Sequence, residues 1–168
     1  MVFIARFLDA IRDSAYKGNM NQPIYFEDLK LNLARETTGR TITEADIVLH
    51  AGHTGDFFPH HMDAEFAKKT PFGQRIAHGT MTFSLAVGLK AATINPASFT
   101  YGFDRLRFPK PVFIGDTIRV QATITTKEPY PKRPEYGRYI EKVEVFNQHD
   151  EVVLVFDHIG LVQHRPRA

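Results

Sequence analysis

Cysteine and tryptophan are both absent from the 168 residues. Without thiols, neither a disulfide framework nor thiolate catalysis is available, which is compatible with a cytoplasmic setting. An excess of one charge is missing too. Twenty-one Lys and Arg face 19 Asp and Glu, for a formal charge of +2. That balance gives no reason to expect a nucleic-acid partner. The sequence pI of 8.9 would suit an anionic small ligand without requiring one. Long apolar runs are also lacking. The N-terminal run Met1-Val2-Phe3-Ile4-Ala5-Arg6-Phe7-Leu8-Asp9 is broken by Arg6 and Asp9. It is too short for a signal core or a membrane span, so no membrane partner is expected. A short surface helix or frayed tail is the simpler reading, and a peripheral amphipathic helix the alternative. No internal repeat or low-complexity segment is present.

What remains is an ordinary globular balance, 43% hydrophobic and 24% charged, with 14 Phe to fill a core. The length favours one domain with a short appendage. Residues 17–23 (KGNMNQP) form a polar Gly- and Pro-containing linker. They divide an N-terminal extension, 1–24, from a domain over 25–168.

Local signals give an order of elements. Thr43 can cap a helix, with Asp46 at its third position and Ile42 and Ile47 as a hydrophobic staple. That helix is expected to run to about His53 and to stop at Gly55. Asp63 caps a second short helix ending near Thr70, before Pro71. Residues 76–89 carry no charged side chain, so this third helix should be buried nearly all round. Strict alternation over 117–124 and again over 139–146 predicts half-buried strands. The β-branched run 152–156 predicts a more deeply buried one, and 101–108 another. Helices followed by antiparallel strands, with one helix wrapped by them, make an α+β arrangement. A hot-dog fold satisfies it: a curved antiparallel sheet around a buried central helix. Its open edge is commonly closed by dimerisation.

Polar residues concentrate in Thr54-Gly55-Asp56-Phe57-Phe58-Pro59-His60-His61-Met62-Asp63. Asp56 and His61 are five apart, about 140° of helical rotation, and an odd step on a strand. They converge only if the segment turns back on itself. Gly55 permits that turn, and Pro59 holds Phe58 extended. A carboxylate beside an imidazole can activate water and relay a proton. A capping Asp and an unrelated surface His is the simpler reading of the same spacing. Gly79 sits at the start of the apolar helix. Its N–H could meet a ligand oxygen, or its missing side chain could merely allow close packing. Five of the eight histidines fall between His50 and His78, yet no His-Glu-x-x-His motif accompanies them. No metal and no cofactor are expected.

These residues resemble the MaoC-like dehydratase family, the (R)-specific enoyl-CoA hydratases. Its signature is roughly Ser/Thr-Gly-Asp-x-Asn-Pro-x-His-x-Asp, matched by 54–63. Downstream comes Phe-Gly-x-Arg-Ile-Ala-His-Gly, matched by Phe72-Gly73-Gln74-Arg75-Ile76-Ala77-His78-Gly79. The likeness runs over about 25–162. It implies a hot-dog hydro-lyase that converts a trans-2-enoyl-CoA to a 3-hydroxyacyl-CoA. Asp56 and His61 would be catalytic, with Gly79, Phe58 and His78 on the substrate side and His60 at a variable position. The implied partners are an acyl-CoA and further copies of the chain, as a homodimer or higher homo-oligomer. One departure stands out: the family's Asn before Pro is Phe58 here. It is the best argument for a non-catalytic acyl-CoA-binding subunit, and a hot-dog thioesterase is the other alternative.

Overall fold

The computed structural model describes residues 23–91 and 95–166. The expected extension and its apolar start therefore lie, up to residue 22, outside the described residues. After a 3-10 turn at Phe26–Asp28, the order is β1 (Ala34–Glu36), β2 (Arg40–Thr41), α1 (Glu44–Thr54), α2 (Pro59–Met62), α3 (Ala64–Ala67) and α4 (Gly79–Lys90). Four long strands follow: β3 (Ser98–Arg107), β4 (Thr117–Pro129), β5 (Tyr136–Phe146) and β6 (Val152–Gln163). The sheet is antiparallel in the order β1-β4-β5-β6-β3, with β2 also paired to β4. It curves around α4, and the fold is the hot-dog type.

The expected alternation sets which face is inside. Ile118, Val120 and Ala122 of β4, with Val143 and Val145 of β5, are buried in one core cluster. β6 runs well past Phe156 and stays buried through Val162. α1 begins and ends where its signals lie. Thr43 and Asp46 make a reciprocal capping box, and Gly55 closes the helix at φ 78°. Ile42 and Ile47 are both buried in the same cluster.

Two expectations change. α4 starts at Gly79, because 76–77 serve as a bridge. Ile76 pairs with Phe113, and the Ala77 N–H donates to Val112 O at 2.7 Å. Burial of α4 within one chain is also incomplete. Met81, Thr82 and Ala86 are buried, and Phe83, Leu85, Val87 and Leu89 pack on the core. Thr80, Ser84 and Gly88 form an exposed stripe. Its period of four puts all three on one face, away from the sheet.

Candidate active site

The segment between α1 and α2 folds back as its spacing requires. Gly55 takes the left-handed conformation, and Phe58 is extended at φ −58°, ψ 135°. The Asp56 carboxylate accepts from the Phe58 N–H at 3.3 Å. Pro59 opens α2, a single turn that carries His60 and His61. Phe58 O accepts from the His61 N–H at 2.9 Å. His61 is buried, and its Nδ1–H donates to Ile76 O at 2.7 Å. A carbonyl only accepts, so this bond fixes the tautomer and leaves Nε2 bare in the neutral ring.

Asp56, His61 and His78 come together, each offering a donor atom within 4.8 Å of the others. His78 caps α4 without a side-chain cap bond. Its Nε2–H donates to the backbone O of Asp56 at 2.9 Å. Its ring stacks on His61, centroids 3.8 Å apart and planes 24° apart. Such a group could be read as a metal site. The stack argues against it, because in-plane lone pairs of near-parallel rings point side by side rather than at one ion. His61 Nδ1 and His78 Nε2 are also already engaged.

A cleft of about 470 Å³ opens over this group. Asp56, His60 and His61 line one wall. Gly79 and Thr80 at the start of α4 line another, with Phe108 and Pro109 closing over them. The first-turn donors of α4 lack partners within the helix, so Gly79 presents an N–H and the positive end of a dipole to the cleft. The close-packing reading of Gly79 is also met. A Cβ there would meet the Phe108 ring at 2.9 Å.

Burial pushes the His61 pKa down, as do the nearby charges of His78 and His60. The Ile76 hydrogen bond and Asp56 oppose this, and the net is below the ordinary 6.5. Neutral His61, the form that can accept a proton, therefore persists to lower pH.

Phe58 and His78, the two other residues expected on the substrate side, do not line this cleft themselves. The Phe58 ring is 53% exposed and packs on His60, centroids 4.5 Å apart. An extended residue ahead of α2 points its ring over the outside of that turn. His78 lies at 1% exposure beneath His61. Both bear on the cleft through Asp56, His60 and His61. His60, set aside on sequence grounds, does line it.

The MaoC like domain profile matches residues 31–145. The chain belongs to the MaoC-like dehydratase family. The protein MaoC of Klebsiella aerogenes is 43% identical over 104 residues, 61% of this chain but only 31% of that protein. An (R)-specific enoyl-CoA hydratase of Rhodospirillum rubrum is 34% identical over 108 residues, 64% of this chain and 74% of that protein. Other MaoC-like relatives are named hydroxyacyl-thioester dehydratases. Among solved structures, a monoamine oxidase regulatory protein from Archaeoglobus has a TM-score of 0.81 at 39% identity. The match covers 86% of this chain and 97% of that one. Among the described residues, no helix of this MaoC-like chain is long and apolar enough to cross a membrane.

Proposed function

We propose that this protein adds water across the double bond of a trans-2-enoyl-CoA, giving an (R)-3-hydroxyacyl-CoA, and runs the reverse dehydration. The observation that carries this is the convergence of Asp56 and His61 within 4.8 Å on a cleft whose opposite wall is the first residue of α4. Addition at Cβ needs a base for water and a place for negative charge on the thioester oxygen. His61 Nε2, bare and neutral, takes the water proton as the C–O bond forms, while Asp56 holds the water. The enolate oxygen is held by the Gly79 N–H, where fixed dipoles stabilise charge without reorganising. The proton then passes from His61 to Cα. Return from the same side gives syn addition, and no proton is lost or gained overall. The protein is further proposed to work as a homodimer.

The test is a panel of enoyl-CoA thioesters, followed by loss of enoyl absorbance, free-thiol release and product chirality. Hydration to the (R) product without thiol release supports the proposal. Thiol release would make the protein a thioesterase, and binding without either signal a non-catalytic subunit.

A further inference from the structure

His60 and His61 are neighbours in sequence, and α2 places both on the cleft wall. Their Nε2 atoms lie 2.9 Å apart, with ring planes at 90° and centroids 4.0 Å apart. A contact this short between two ring nitrogens requires one hydrogen between them, and only one. The far side of His61 decides which ring carries it. Its Nδ1 donates to Ile76 O, so the neutral ring has no hydrogen on Nε2. The shared hydrogen therefore sits on His60, whose Nε2–H donates to His61 Nε2.

The His60 ring is held for this task. Phe58 packs on it with centroids 4.5 Å apart, and Phe72 meets it edge-on at 6.2 Å. Phe58 is itself braced by Phe66, edge-on at 6.5 Å. All three phenylalanines are exposed, an arrangement with little stability to offer unless it fixes something. What it fixes is the direction of the His60 N–H.

We propose that His60 is a positioning residue for His61, donating a hydrogen bond that keeps the His61 Nε2 lone pair aimed into the cleft until a water O–H replaces it. This rests on the reading of His61 as the base. When water enters, its O–H takes over as donor to Nε2. The proton then moves to His61 and on to Cα, and His60 need not ionise.

The groups facing the pair are Asp56 from the turn before α2, His78 stacked beneath His61, His50 of α1 beside His78 at 4.8 Å, and Lys110 across the cleft. Removing His60 changes none of these. It deletes a donor to Nε2 and a like charge, both of which disfavour protonated His61. The His61 pKa should then rise. A glutamine keeps a donor without a charge.

The experiment follows the His61 imidazole by NMR titration in the wild-type protein, H60A and H60Q, with pH profiles of enoyl-CoA hydration alongside. H60A is expected to raise the His61 pKa by roughly 0.5–1 unit. The acid limb of kcat/KM should move up with it, and kcat should fall about 10-fold with KM little changed. H60Q is expected to restore most of the rate and to keep the His61 pKa below that of H60A. An unchanged His61 titration in H60A, or an H60Q variant no different from H60A, overturns the proposal. Because the titration needs no substrate, a protein that hydrates nothing defeats the functional reading and leaves the His60 test readable.

Discussion

Gly79 meets two demands with one missing side chain. It lines the cleft at the head of α4, where the backbone donors lack helical partners, and a Cβ on it would meet the Phe108 ring at 2.9 Å. Phe108 is 47% exposed, so the ring can swing outward. Gly79→Ala should therefore leave the fold intact and disturb the cleft. The expected result is a melting temperature close to wild type with a raised KM and a lowered kcat. A variant with unchanged kinetics would separate Gly79 from the cleft chemistry. At the dyad, Asp56→Asn and His61→Ala should each lower kcat by about 10²–10⁴-fold. The double variant should be little worse than either, since the groups act as a unit; additive losses would mean independent roles. The pH dependence follows from the lowered His61 pKa. With His61 as the proposed base its neutral form is the reactive one, so kcat/KM should rise with pH through an inflection below 6.5. An inflection above 6.5 would contradict the burial that lowers it.

At the scale of elements, α4 is fixed at its far end by charge. Lys90, its last residue, pairs with Glu141 of β5, which also pairs with Arg35 of β1. Lys90 Nζ lies 2.9 Å from His158 Nδ1 on β6, and His158 Nε2 lies 3.0 Å from Thr100 Oγ1 on β3. Burial pushes the Glu141 pKa up. The His158 hydrogen bond and the charges of Lys90 and Arg35 more than offset it and hold the carboxyl well below its ordinary 4.5. A folded-state pKa below the unfolded value means stability that is present above about 4.5 and lost as pH falls below it. Thermal denaturation from pH 7 to 3 should show this loss in the wild type and much less of it in Glu141→Gln. That variant leaves Lys90 buried without its counter-charge and is expected to cost about 3–5 kcal/mol. Phe83→Asp should go further and abolish soluble folded protein, since the ring lies 4.9 Å from Phe103 and 5.0 Å from Phe156. The same cluster explains what was hard to read in the sequence. The apolar run 152–156 marks only the first part of β6, which continues through Asp157 and His158 to Gln163. Both are nevertheless buried, satisfied by Arg105 and by Thr100 and Glu141. β1 and β2, three and two residues long, are too short for any period to show. By contrast, the cap of α1 and the alternation of β4 and β5 depend on near neighbours and were legible. So was the turn that joins Asp56 to His61. The His60–His61 contact was not, because its direction depends on a carbonyl 15 residues away at Ile76, which decides the tautomer.

At the scale of the whole molecule, the sheet leaves one long strand unpaired on its outer side among the described residues. β3 has ten residues and stands at the end of the sheet order. Phe99 and Tyr101 on it are 43% and 54% exposed, while most of its other side chains are polar or small. Two register shifts against β6 twist it, and Arg105 adopts φ 53°. Bulges are one way a sheet edge avoids indiscriminate pairing, yet the exposed rings invite a specific partner. A second copy placed by a two-fold axis would bring like positions of β3 together. A strand this long, with neighbouring apolar surface such as Phe108 at 47% exposure, could supply an interface of ordinary size, about 800 Å² per partner. The polar stripe Thr80, Ser84 and Gly88 on α4 would allow close backbone approach in the same assembly. The proposed homodimer is therefore expected to sediment at twice the chain mass of 19.2 kDa. Tyr101→Glu should dissociate it, because a two-fold axis sets the new charges near each other at the edge. If the wild type sediments as a monomer at micromolar concentration, the homodimer is lost. If Tyr101→Glu remains a dimer with full activity, the interface lies away from β3, and the exposed face of α4 becomes the surface to alter next.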